Sequence, residues 1–261
     1  RKMSLPYRSD AVQILGQLKD ERVLLILIES LLDEEIYLDV RNALLNFGTL
    51  LTGPLVYVLE SKAATPDFIE KSIRILLDLE AKESIPALIK LLKHKSADIR
   101  ELSTRALGKF KAKKAMRALK ALIAKKEKES DDVIAEALLA LGCMGDKKVV
   151  PILVEHLDHL SSKVRGYSIP ALGELADVSS VETLIKRLED PLQDNQPLII
   201  QTLAKIGDKK AVPSLLTIVE EARVNTLAGT KGSFLGSYAV QALATLGEVK
   251  VIRLLLTEWE E

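Results

Sequence analysis

His156 and His159 stand three residues apart with Glu155 and Asp158 beside them, a spacing at which one helix face could offer two imidazoles and a carboxylate to a metal ion. A metal site needs further ligands from elsewhere in the chain, and no third, distant set is recognisable. The expectation is two solvated histidines on an outer helix, with no metal and no cofactor. Gly-Asp-Lys-Lys-Val-Val-Pro at 145–151 and Gly-Asp-Lys-Lys-Ala-Val-Pro at 207–213 raise a second possibility, phosphate binding. A phosphate loop ends in Gly-Lys-Ser/Thr, whereas Gly145 and Gly207 are followed by Asp, Lys, Lys and an apolar residue. Gly-Thr-Lys-Gly-Ser at 229–233 has suitable residue types but lacks the preceding strand and the spacing. The helical register sets no Ser, Cys or Lys nucleophile against a histidine, so no acyl-transfer constellation is predicted.

The two heptapeptides are the visible part of a repeat. Eight segments share one register: AVQILGQL (11–18), NFGTL (46–50), RILLDL (74–79), RALGKF (105–110), LALGCM (139–144), PALGEL (170–175), QTLAKI (201–206) and QALATL (241–246). Their glycine-equivalent positions are Gly16, Gly48, Asp78, Gly108, Gly142, Gly173, Ala204 and Ala244, at steps of 32, 30, 30, 34, 31, 31 and 40. Units this short cannot enclose a core alone, so each must bury its apolar face against its neighbours. The stretch ending at each such position carries apolar or small residues at helical spacing, as in Ile99, Ser103, Ala106 and Leu107, or Val164, Ser168, Ala171 and Leu172. This is helix B. After a short turn, Pro54, Pro86, Pro151 and Pro213 mark the first turn of a second helix, A, where a fixed φ and a missing N–H are tolerated. No segment alternates with period two, so no strand is predicted. The 40-residue step contains an insertion, 221–236, in which Gly229, Gly232 and Gly236 predict a mobile surface loop.

The 261 residues are 48% hydrophobic, enough for a large core, and their 37 basic and 37 acidic side chains cancel. That balance argues against whole-chain attraction to nucleic acid or an anionic membrane. Charge is uneven locally: from Lys90 to Lys128, 14 Lys and Arg residues stand against three acids, a balance of +11. Lys111, Lys113, Lys114, Arg117, Lys120, Lys125 and Lys126 fall on turns and the outer helix, as a solvated face or as a dock for an acidic partner. Cys143 is the only cysteine, which excludes an intramolecular disulfide. No apolar run reaches the ~20 residues of a membrane helix, and the first residues carry no signal-type segment. A cytoplasmic location is the resulting expectation.

Units of about 30 residues with a Pro-started helix, Asp-x-Val-Arg and Ala-Leu-Gly-x-Leu resemble HEAT repeats of the short prokaryotic type, the phycobilisome-lyase HEAT-like repeats. The resemblance covers nearly the whole chain and implies an all-α fold, an α-solenoid of about eight HEAT-like helical hairpins forming a single domain over 1–261. It implies an inter-repeat ladder through Asp39, Arg41, Asp98, Arg100 and Arg165, interrupted at Gln196 and at 131–134. The scheme is eight B and eight A helices, opening on a B helix without its A partner. Either capped ends or a longer natural protein fits that scheme. HEAT-type hydroxylases hold iron with His-Glu pairs, and this chain has no His-Glu dipeptide. HEAT-like glycosylases use groove aromatics, and Trp259 is the sole Trp.

The expected function is a non-enzymatic scaffold binding a protein or peptide partner, with neither a specific nucleic acid nor a membrane span. A lyase-like enzyme or chaperone acting on a chromophore-bearing protein is the alternative that the resemblance leaves open. With B helices on the inner face, the residues opposite their buried stripe should line a groove. These are Ile75, Leu79, Leu102, Arg105, Leu139, Tyr167, Pro170, Leu198, Gln201, Tyr238 and Gln241, an apolar strip with aromatic and Arg anchors.

Overall fold

Apolar residues three and four apart resolve into helices throughout the residues described by the computed structural model, 5–124, 129–188, 195–227 and 234–248. In chain order these are α1 (Leu5–Leu18), α2 (Leu24–Glu29), α3 (Tyr37–Leu45), α4 (Thr52–Glu60), α5 (Pro66–Asp78), α6 (Ile85–Leu91), α7 (Ala97–Lys109) and α8 (Met116–Ile123). There follow α9 (Asp131–Cys143), α10 (Val150–Glu155), α11 (Ser162–Leu175), α12 (Val181–Leu188), α13 (Gln196–Ile206), α14 (Val212–Leu227) and α15 (Phe234–Thr245). Odd-numbered helices are B and even-numbered helices are A. The fold is an all-α solenoid, with no strand among the described residues.

Each B helix stops at one residue with left-handed backbone: Lys19, Gly48, Glu80, Lys111, Gly145, Ala176, Gly207 and Gly247, φ 45° to 83°. Such a residue turns the chain out of the helix and lets its N–H satisfy a terminal carbonyl. After four of these stops an aspartate accepts from the backbone N–H two residues on: Asp20 from Arg22 at 2.9 Å, Asp146 from Lys148 at 3.0 Å, Asp177 from Ser179 at 2.9 Å and Asp208 from Lys210 at 2.9 Å. The recurring Gly-Asp-Lys-Lys string is therefore a helix stop followed by the cap of a 3-10 turn.

Counting back three residues from each stop gives the packing register: Gly16, Leu45, Leu77, Gly108, Gly142, Gly173, Ala204 and Ala244. Gly48 and Asp78, which the sequence pattern puts in this register, are displaced from it by three residues and by one. From the second B helix on, two residues before the register position come Ala43, Ile75, Ala106, Ala140, Ala171, Thr202 and Ala242, none more than 4% exposed. Small residues here follow from close approach of successive B helices. A Cβ on Gly16 would lie 2.6 Å from that of Ala43, and a Cβ on Gly142 would lie 2.7 Å from the Ala171 Cα.

The chain divides into two compact units, 1–133 and 134–261, with the boundary inside α9. In the first, α1 packs on α3, α4 on α5 and α6, and α7 on α5 and α6. In the second, α11 packs on α10 and α13, and α15 packs on α13 and α14. Ile99, Ser103, Ala106 and Leu107 in the first unit, and Val164, Ser168, Ala171 and Leu172 in the second, are at most 1% exposed.

Arginines tie neighbouring repeats. Arg41 donates to Asp78 at 2.6 and 3.2 Å, and Arg100 donates to Glu129 at 2.6 and 2.9 Å. The expected ladder is corrected in its acids, because the carboxylates reached are not those of the Asp-x-Val-Arg strings. Asp39 instead accepts from Ser9, and Asp98 is exposed at the start of α7. Arg100 also donates to the carbonyls of His94 and Lys95, and Arg165 to those of His159 and Leu160. At Gln196 the amide donates to the Leu188 carbonyl at 3.0 Å.

The predicted loop at 221–236 is also corrected. Glu221 to Leu227 continue α14, supported by the Arg223–Glu220 ion pair, and Phe234 already begins α15. Gly236 is no helix breaker: it is buried, and a Cβ there would sit 2.6 Å from that of Ala222. Gly229, Lys231 and Gly232 lie outside the described residues.

Candidate protein-docking surfaces

The outward column of the B helices lies three residues before the register position. In the first unit it is Gln13, Asn42, Arg74 and Arg105, all exposed. In the second it is Leu139 and Pro170, half-buried, with Gln201 and Gln241, exposed. Ile75 does not belong to it. At 0% exposure it is core, because Leu77 rather than Asp78 sets the α5 register and turns Arg74 outward instead. Leu102, at 6%, is buried as well, whereas Arg105 is exposed and donates to Glu101 at 2.7 Å. Leu79, Tyr167, Leu198 and Tyr238 are half-buried, and the Lys163 ammonium lies 6.0 Å from the Tyr167 ring centroid. The open positions are thus mostly polar, and the expected apolar strip is largely drawn in against the helices.

The basic segment stands on the turn into α8 and on α8 itself. Lys111, Lys113, Lys114 and Arg117 are exposed and Lys120 is half-buried, and no ion pair ties any of the five among the described residues. Lys125 and Lys126 lie outside the described residues.

The histidines build turns. His94 and His159 hold equivalent positions, each ring Nδ1 accepting a backbone N–H at 3.1 Å, from Ser96 and Ser161 respectively. His156, expected to be solvated, is only 2% exposed, with Nδ1 2.8 Å from the Ile152 carbonyl and its ring stacked on His159 at 6.1 Å. It is drawn inside because the chain leaves α10 for a 3-10 turn at this residue. Among the described residues no group of three His, Cys, Asp or Glu could hold a metal.

Among the described residues, α1 departs from the repeat. Tyr7, Ile14 and Leu18 hold the register of Ile99, Ala106 and Phe110 in α7, which are 1%, 0% and 6% exposed. In α1 they are 67%, 57% and 66% exposed. Beside this stripe, α1, α2 and the turn after α2 line an open cleft of about 720 Å³. Its floor is Ala11, Val12, Leu15, Leu27 and Ile36, with Ile26 and Leu32 at the mouth. Arg8 closes one end by donating to Asp33 and Glu35, and these bonds outweigh desolvation and raise its pKa. Glu34 pairs with Lys71, whose pKa is raised because Glu34 and Asp67 overcome the burial of the ammonium. The sequence signal is the presence of bulky apolar residues in α1 where later B helices carry core side chains.

This repeat geometry defines the class as a helical-repeat solenoid. Models of HEAT repeats match residues 54–142, 86–160, 126–195 and 150–230, and a PBS lyase HEAT-like repeat matches residues 7–33. The chain belongs to the HEAT-repeat family. No curated protein matches it by sequence. Among solved structures it is similar to the complex of CpcE and CpcF of phycocyanin lyase from Nostoc sp. PCC7120, at 18% identity and TM-score 0.51, covering 85% of this chain and 94% of that one. It is also similar to an engineered protein, at 19% identity and TM-score 0.49, covering 86% of this chain and 68% of that one. At such identities the likeness is one of fold. No single helix among the described residues is long and apolar enough to cross a membrane.

Proposed function

We propose that this HEAT-repeat protein is a scaffold that binds a protein partner through the open face of α1 and α2. One observation carries the reading: Tyr7, Ile14 and Leu18 stand mostly exposed at positions that α7 keeps in the core. Apolar surface gathered in this way is costly in water, and on a soluble protein it marks an interaction site. Solved relatives of this fold include a complex of two lyase subunits, which suits protein association as the mode of action.

The test is affinity capture with the wild-type chain and with an Ile14→Asp, Leu18→Asp variant, each first checked for its melting temperature. Both positions are exposed, so melting should shift by no more than a few degrees. A partner retained by wild type and lost by the variant supports the reading, and retention by both removes it. Mixing the chain with a free bilin tests the lyase-like reading. A new visible absorption band would replace the scaffold with a chromophore-handling protein.

A further inference from the structure

We infer that the exposed face of α8 and the turn leading into it dock an acidic segment of a partner protein, its carboxylates set against Lys113, Lys114, Arg117 and Lys120. This surface shares no residue with the face of α1 and α2.

From 102 to 126 the chain carries nine Lys and Arg residues and no acid. Lys111 and the four cations above have no ion-pair partner among the described residues. In other repeats, four of the six cations equivalent to Lys113 and Lys114 are neutralised. Arg22 pairs with Asp20, Lys147 with Asp177 at 3.6 Å, Lys209 with Glu248 at 3.3 Å and Lys210 with Glu182 at 3.1 Å, leaving Lys82 and Lys148. The cap acid is missing too: Ala112 stands where Asp20, Asp146, Asp177 and Asp208 cap the corresponding turns. Cations therefore crowd a helix start that disfavours them, at spacings of three and four residues where like charges repel. Carboxylates from a partner relieve both costs.

Lys113 and Lys114, then Arg117, then Lys120 follow one another along one face, with Cβ atoms about 5–6 Å apart. One carboxylate per turn of an acidic helix, or on every second residue of an extended segment, matches that spacing. Beyond Lys120 the exposed face continues as Ala121 and Ala124, with no bulky side chain in the way. Phe110 is the sole aromatic residue from 102 to 126 and is 6% exposed, so no ring is offered to a nucleic-acid base. Leu119, Leu122 and Ile123 are buried, so α8 has no bulky apolar face to insert into lipid. The chain is neutral as a whole, so the residues outside 90–128 carry a net −11, which repels any polyanion long enough to pass beyond this stretch. A short acidic segment meets the cations without meeting that charge.

The probe is fluorescein-labelled hexaglutamate, titrated with the whole chain and followed by anisotropy. Saturable binding that weakens severalfold between low and physiological salt is expected. A Lys113→Glu, Lys114→Glu, Arg117→Glu variant should lose at least tenfold in affinity, with melting unchanged or slightly raised because acids suit a helix start. Ala112→Asp, which restores the cap acid while keeping every cation, should weaken binding about threefold. Lys209→Glu, Lys210→Glu reverses cations at a turn of the same kind and should bind as wild type does. No binding of hexaglutamate, equal binding by both the triple variant and Ala112→Asp, or an equal loss in the Lys209→Glu, Lys210→Glu control each overturns the inference. Tighter binding of a thymidine hexanucleotide, or of phosphatidylserine vesicles, would give the face to nucleic acid or lipid and overturn it. Salt-sensitive self-association abolished by the triple variant in sedimentation would place a second copy there and overturn it too.

Discussion

Arg100 holds Glu129 in a fork: Nη2 reaches Oε1 at 2.6 Å and Nε reaches Oε2 at 2.9 Å, with the two side chains 16% and 4% exposed. The same guanidinium donates to the carbonyls of His94 and Lys95, so it fixes the turn before α7 and reaches the next repeat at once. Charged hydrogen bonds of this kind are short and strong, and cutting one partner leaves the other charge poorly solvated.

Replacing Arg100 with Ala should therefore cost about 2–4 kcal/mol, several times more than a surface pair. Arg74→Ala is the control, because the Arg74–Glu70 pair is exposed and i,i+4 on one helix, where ~0.5 kcal/mol is usual. Urea unfolding of the two variants measures the difference. Equal losses would show that the Arg100 fork contributes no more than a surface pair.

Gly142 allows α9 to approach α11, and an added Cβ would lie 2.7 Å from both the Cα and the carbonyl oxygen of Ala171. Backbone cannot give way as a side-chain tip can. Gly142→Ala should destabilise by about 1–3 kcal/mol through overpacking, despite the better helix propensity of Ala. Gly53, in the first turn of α4, has nothing within 4 Å of an added Cβ, so Gly53→Ala should be neutral or slightly stabilising. A Gly142→Ala protein as stable as wild type would mean that the helices slide apart freely.

Ile75 and Arg74 show where the sequence could be read and where it could not. Helix type, order and the A–B alternation were legible because apolar spacing and proline placement are local properties. The register of α5 was not, because Asp78 and Leu77 both fit the tail of RILLDL and only the left-handed stop at Glu80 separates them. One residue of error turns a side chain by about 100°, enough to exchange core for surface. The α1–α2 cleft was illegible for a related reason: a pattern that marks apolar residues for burial does not say which neighbour covers them. The correction predicts that Ile75→Ala, a fully buried truncation, should cost about 2–5 kcal/mol. The α5 assignment fails if Ile75→Ala is tolerated while Arg74→Ala is not.

Asp20 caps the 3-10 turn after α1, and its carboxyl is pushed down to about 2, first by the Arg22 side chain and then by the Arg22 backbone N–H. Asp177, at the equivalent cap, lies below its ordinary value through the Ser179 hydroxyl and backbone N–H, with Lys147 adding a smaller pull. A carboxyl whose folded pKa is depressed favours the folded state fully above its unfolded value, about 3.9. That contribution is lost as pH falls through the folded value, so for Asp20 the window runs from roughly pH 4 down to about 2. Carboxyl titration by NMR should place the Asp20 midpoint near 2, and Arg22→Ala should raise it toward the ordinary value while leaving Asp177 unmoved. Both caps are at the surface, so the change in global stability should be small, and the midpoint is the decisive reading. An Asp20 midpoint unchanged by Arg22→Ala would show that the Arg22 side chain is not what holds the cap in its charged form.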